Sequence, residues 1–191
     1  MPTKLFLKRL FMMLIVLSFT NALAASPQPR PETWAQPIQS KNLKNFYKLD
    51  NHVYRSAQPD EEAYGYLRSL GIKSILNLRD YHKDDPDAER FGLKLYEVDM
   101  DAGKIRSSDV VTALRIIRQA DGPILIHCWH GSDRTGTISA MYRIVFQNWT
   151  KEDAIDELMH GGYGYHALYK NIPAYVRQAD VDVIKKQVFA P

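Results

Sequence analysis

One stretch of the 191-residue chain brings a nucleophile, a strong cation and turn-forming residues together: His127-Cys128-Trp129-His130-Gly131-Ser132-Asp133-Arg134-Thr135-Gly136. The apolar run Pro123-Ile124-Leu125-Ile126-His127 precedes it and reads as a strand buried on both faces. A helical pattern follows from Arg134 to Gln147, with Ile138, Met141, Tyr142 and Val145 on one face. Cys128 therefore falls in a strand-to-helix turn, the place where open α/β sheets bind ligands. Backbone N–H groups of Trp129, His130, Gly131, Ser132, Asp133 and Arg134 can curl into a nest for an anion, and the helix N-terminus adds partial positive charge. Gly131 permits dihedrals that other residues avoid. Arg134 presents a planar fork matched to two phosphate oxygens. The turn suits phosphate.

The same surroundings activate the thiol. An ordinary cysteine has a pKa of about 8.5, which a helix N-terminus and nearby cations lower to roughly 3.5–7.5. Cys128 is then largely thiolate, the form that attacks phosphorus. Thr135 is placed to donate a hydroxyl hydrogen bond to the sulfur. His127 is expected to fix the loop through hydrogen bonds, because an ionised thiolate needs no base. His127, Cys128 and His130 are also three potential metal ligands in four positions. Neighbours in one loop cannot easily close a tetrahedral site, so no metal is expected.

These residues need elements to hold them. Phe46–Leu49 and His52–Arg55 flank Asp50-Asn51 and read as a hairpin or two short strands. Asp60 caps a predicted helix through Leu70, with Gly71 past its end. Lys73–Leu78 and Leu93–Val98 read as strands, and Tyr81–Arg90 as a charged loop or short helix. A helix is expected over Ser108–Ala120, capped by Ser107 or Ser108, and another from Thr150 to His160, ended by Gly161-Gly162. Gly161–His166 reads as a helix stop followed by packed aromatics; alternatively it borders the pocket and offers Tyr163 and His166 to substrate. Strands alternating with helices predict a single α/β domain, a parallel, partly mixed sheet flanked by helices.

The chain's N-terminus carries Lys4, Lys8 and Arg9, an apolar run from Leu10 to Phe19 and a small-residue site at Ala22-Leu23-Ala24-Ala25. That order predicts a secretory signal peptide over 1–25, cleaved after Ala24 or Ala25, and hence no stable membrane insertion. Without its three bases, 22 of the 25 Lys and Arg remain against 22 Asp and Glu. A neutral mature chain excludes the basic field that nucleic acid or an anionic membrane would require. Residues 26–41, with Pro27, Pro29, Pro31 and Pro37, read as an extended Pro-rich linker, and 42–191 as the folded domain. Cys128 is the one cysteine, so the mature chain has no internal disulfide and is expected to be a monomer resting on its core.

Cys128-x5-Arg134, with His127 before it and Thr135-Gly136 after, resembles the signature of the protein tyrosine phosphatase superfamily, in its dual-specificity branch. Tyr54-Arg55-Ser56-Ala57-Gln58-Pro59 and Gly161-Gly162-Tyr163-Gly164-Tyr165-His166 narrow the resemblance to bacterial periplasmic dual-specificity phosphatases, which regulate biofilm formation through a diguanylate cyclase. It covers roughly Asn45 to Tyr175. The resemblance implies a dual-specificity phosphatase-like fold, a periplasmic location and no cofactor. Its implied substrate is a phosphorylated protein, such as the periplasmic part of a membrane protein. It also implies a general acid about thirty residues before the cysteine. Asp101 and Asp99, 27 and 29 residues upstream, both fit. Asp101 is preferred because Asp101-Ala102-Gly103 reads as the loop after a strand, and Asp133 is a further alternative. The expected reaction runs through a phosphocysteine on phosphotyrosine, and on phosphoserine or phosphothreonine. The competing readings are a phosphatase for inositol phosphates or phospholipids, and an inactive phosphate-binding module.

Overall fold

The computed structural model describes residues 29–84 and 86–191. The expected signal peptide lies outside them. A six-stranded sheet runs in the order β1-β2-β3-β6-β4-β5. Its strands are β1 (Gln36–Pro37), β2 (Tyr47–Lys48), β3 (Val53–Ser56), β4 (Ser74–Arg79), β5 (Lys94–Met100) and β6 (Ile124–His127). The pairs β3–β6, β6–β4 and β4–β5 are parallel, while β1–β2 and β2–β3 are antiparallel, which makes the sheet mixed. The helices are α1 (Glu61–Ser69), α2 (Ser107–Gln119), α3 (Asp133–Gln147), α4 (Lys151–His160), α5 (Asn171–Gln178) and α6 (Val181–Phe189), and a 3-10 turn covers Pro86–Phe91.

Side-chain alternation along the central strands divides the core in two. Ile124 and Ile126 of β6, with Leu76 and Leu78 of β4, face the layer built from α2 to α6. Leu125 and Ile75 point the other way, onto Leu43, Phe46 and the Ala63, Tyr64 and Leu67 face of α1. β6 is thus covered on both sides, which explains its unbroken apolar sequence. No helix among the described residues is long and apolar enough to cross a membrane.

Caps set several boundaries as the sequence suggests. Asp60 accepts from Ala63 N at 3.0 Å and Thr150 accepts from Asp153 N at 3.1 Å. Asn148, not expected from the sequence as a cap, ends α3 in the left-handed conformation. Three expectations need correction. α2 starts one residue early, at Ser107, with Arg106 as its cap residue, so neither serine caps it. The Ser107 hydroxyl meets Tyr175 instead, and Arg106 pairs with Asp109. β5 reaches Met100 rather than Val98, which puts Asp101 directly after the strand. From Arg30 on, the expected linker packs against the domain. Gln36–Pro37 pairs with β2, Ala35 is fully buried, and Arg30 bonds Gly161 O and Tyr163 Oη, each at 2.6 Å.

Candidate active site

Cys128 follows β6 directly, and α3 begins at Asp133. Between them the loop turns over on itself, and four donors hold its carbonyls. Cys128 O faces His127 Nδ1 at 3.2 Å, and Trp129 O accepts from Gln58 N at 3.1 Å. His130 O accepts from Asn45 Nδ2 at 2.8 Å, and Gly131 O from Arg55 Nη2 at 2.7 Å. In a trans peptide the C=O and the following N–H point in opposite directions. Four carbonyls tied to the scaffold therefore turn the N–H groups of Trp129, His130, Gly131 and Ser132 to the inside of the loop. That is an anion nest at a helix N-terminus.

The tight turn requires glycine. Gly131 has φ +72°, and a Cβ there would lie 2.4 Å from Ser56 O. Arg55 is buried with its guanidinium 3.6 Å from the Tyr163 ring centroid. Burial pushes that guanidinium below its usual value, partly offset by Tyr163, Glu157 and Cys128. It brings a second buried cation within electrostatic reach of the nucleophile. Ser132 Oγ and Asn45 Nδ2 both donate to Tyr163 O, so Tyr163 braces the loop from behind. Tyr163 is the packed aromatic of the two readings of that segment.

Cys128, Trp129, His130, Asp133 and Arg134 line one cleft of about 360 Å³, with Ala102, His166, Leu168 and Tyr169 opposite. Arg134 reaches it from the first turn of α3. Its Nη1 donates to Asp80 Oδ1 at 2.5 Å and Met100 O at 3.3 Å. Nε and Nη2 make no hydrogen bond among the described residues, which leaves that edge of the fork for two oxygens. Asp133 gives both carboxylate oxygens to His166, one to its N–H at 3.0 Å and one to Nδ1 at 2.7 Å. It is a first-turn acid that fixes a cleft wall.

His127 is buried, its Nε2 2.9 Å from Asp84 Oδ2. Asp84 Oδ1 accepts from Gln58 Nε2 at 2.9 Å, Gln58 Oε1 accepts from Arg79 Nη1 at 2.6 Å, and Arg79 lies 4.6 Å from the Trp129 ring centroid. Burial acts to raise the Asp84 carboxyl. The hydrogen bond and charge of His127, then Gln58 and Arg79, outweigh it and hold the carboxyl below its usual range.

Two sequence expectations do not hold as drawn. Thr135 makes no hydrogen bond to sulfur: its hydroxyl is fully buried and has no partner among the described residues. The loop of Asp101 reaches the cleft through Ala102, but the carboxylate does not line it. Asp101 lines an adjoining depression with Asp80, Asp99, Lys104 and Arg106, where its Oδ1 accepts from Gly103 N at 2.7 Å. The short turn to Gly103 satisfies the carboxylate locally and draws it aside.

Sequence reasoning missed Asn45, Asp80 and Asp84. Arg55 and Gln58 stood inside a motif already quoted, without a role. Asp80 and Asp84 sit among the acids of a charged loop, where only their spatial partners distinguish them.

A cysteine in an N–H nest, with an arginine fork free on one edge, defines the cysteine-based phosphatase class. Residues 42–167 match the model of the tyrosine phosphatase family. The chain belongs to that family. It is 34% identical over 166 residues to the dual specificity protein phosphatase TpbA of Pseudomonas aeruginosa, across 85% of this chain and 74% of that protein. The crystal structure of a cysteine-to-serine variant of TpbA in complex with pTyr superposes with a TM-score of 0.75 at 33% identity, covering 85% of this chain and 99% of that one. The inositol diphosphatase SIW14 of Saccharomyces cerevisiae is 36% identical over 124 residues, 60% of this chain and 44% of that protein.

Proposed function

We propose that the chain is an exported, cysteine-dependent phosphatase that hydrolyses phosphotyrosine in proteins, and phosphoserine or phosphothreonine secondarily. The observation that carries this reading is the outward tethering of four successive carbonyls, which aims four N–H groups into the Cys128 loop. In the first step the Cys128 thiolate attacks phosphorus in line. An S–P bond forms as the P–O bond to the leaving group breaks. The nest and the open edge of Arg134 hold the equatorial oxygens. Asp101, swung in from its depression as substrate closes the loop, gives its proton to the leaving oxygen. Asp101 then takes a proton from the water that attacks phosphorus, and the thiolate leaves with its electron pair.

Trp129, Leu168 and Tyr169 offer apolar and aromatic surface beside the loop, which suits a phenyl ring. The kinship to SIW14 favours inositol pyrophosphates as the second reading. Among the described residues Arg134 is the one Lys or Arg lining the cleft, beside Asp133, and the adjoining depression sets Asp80, Asp99 and Asp101 against Lys104 and Arg106. Such a site matches a single phosphate better than a polyanion. The signal-like N-terminus supports a periplasmic location, and the likeness to TpbA, a tyrosine phosphatase related to biofilm formation, supports biofilm formation as the process affected, with a membrane protein's exposed domain as the proposed substrate.

The test uses the full chain expressed with its own N-terminus. The periplasmic fraction is expected to yield protein starting at Ala25 or Ser26 that dephosphorylates a phosphotyrosyl peptide in EDTA, with activity lost in Cys128→Ser. Cytoplasmic retention would overturn the export proposal. A preference for inositol pyrophosphate over the peptide would overturn the substrate.

A further inference from the structure

His127 faces an acceptor on each ring nitrogen. Nε2 lies 2.9 Å from the Asp84 carboxylate and Nδ1 3.2 Å from Cys128 O. A backbone carbonyl never donates, and an ionised carboxylate only accepts. A neutral imidazole carries one N–H and would leave one of these contacts repulsive. The hydrogen bond and charge of His127, with the Gln58 amide and Arg79 behind, hold the Asp84 carboxyl below its usual range against the effect of burial. Both partners are buried, with side chains 1% exposed for Asp84 and 0% for His127. The contact is therefore little screened by solvent.

We infer that Asp84 is a positioning residue of the active site, keeping His127 protonated on both nitrogens so that a buried positive charge sits beside the nucleophile. The same ring fixes Cys128 O and so turns Trp129 N–H into the nest. The charged groups on this network are Asp84 and Arg79, from the turn after β4 and from β4 itself. Arg55 of β3 also lies within electrostatic reach of Cys128. Asp84 acts on the thiolate through His127 and touches no substrate. The inference deepens the phosphatase reading and rests on Cys128 as nucleophile.

Asp84→Asn separates charge from shape. Its oxygen can keep the Gln58 bond while its NH₂ faces Nε2, which lets a neutral His127 still donate from Nδ1 to Cys128 O. Cys128 is the chain's one cysteine, so iodoacetamide reports on it alone. At pH 6 the variant is expected to alkylate about tenfold more slowly than wild type, converging at high pH, with the acid limb of kcat/KM moved upward in parallel. An unchanged alkylation profile would overturn the inference, even with activity lost. A second measurement needs no variant: the imidazole 15N spectrum of the wild type near neutral pH should show both His127 nitrogens protonated. One bare nitrogen would overturn the inference and leave the phosphatase reading intact, whereas a wild type inert on every phosphate ester would sink that reading alone.

Discussion

Arg134 is gripped at one nitrogen and open along the opposite edge. Asp80 and Met100 O take Nη1, so Nε and Nη2 are aligned before any phosphate arrives. Asp80→Ala should release the guanidinium. Because the Asp80 side chain is 41% exposed, the loss is expected to be modest, about 1 kcal/mol or roughly fivefold in kcat/KM for an aryl phosphate. Steady-state kinetics decide it; a rise in kcat/KM would mean that Asp80 competes with substrate. At this scale the sequence was most legible where chemistry depends on spacing. Cys128, Arg134 and the loop amides could be read because a strand-to-helix turn of that length leaves them little choice. The direction of Asp101 could not be, since it turns on a local bond to Gly103 N. Asp84 was hidden for another reason: its partner His127 lies 43 residues away.

The elements position these side chains through two approaches of backbone to backbone. β3 lies beside β6 in parallel register, with Ser56 opposite His127, and so carries Arg55 and Gln58 to the outside of the phosphate loop. Gly131 sits against Ser56 at the tightest of these contacts. Gly131→Ala would place a Cβ 2.4 Å from Ser56 O at a positive φ. The loop must shift, and a displacement near 1 Å is expected to lower kcat/KM by about a hundredfold, with a fall in melting temperature. Wild-type activity in that variant would show the nest to be dispensable. The central strands and α2 to α4 were readable from apolar periodicity and caps, and Asp60 and Thr150 from cap chemistry, whereas β1, α5 and α6 were not read. Ser107 and Ser108 misled because Tyr175, from α5, claims the Ser107 hydroxyl. Tertiary competition of that kind leaves no trace in a local window.

Across the whole molecule, the segment before the sheet is tied to the far end of the chain and through it to the active site. Ala35 N and Tyr163 Oη both donate to Glu157 Oε1, and Glu157 in turn pairs with Arg143 at 2.9 Å. Burial pushes the Tyr163 phenol up, which keeps it a donor to Glu157. The Pro-rich composition of 26–41 suggested an extended linker outside the domain. That Arg30 and Ala35 meet partners more than 120 residues away was not visible in that composition. All of this scaffolding serves one chemical event, transfer of a phosphoryl group to Cys128. The most direct measurement is acid quenching during turnover of an aryl phosphate, followed by mass analysis of the peptide containing Cys128. A phosphoryl group on that peptide is predicted in the wild type, accumulating in Asp101→Asn, whose second step lacks its base. Turnover in the wild type with no phosphorylated Cys128 in either protein would contradict the account.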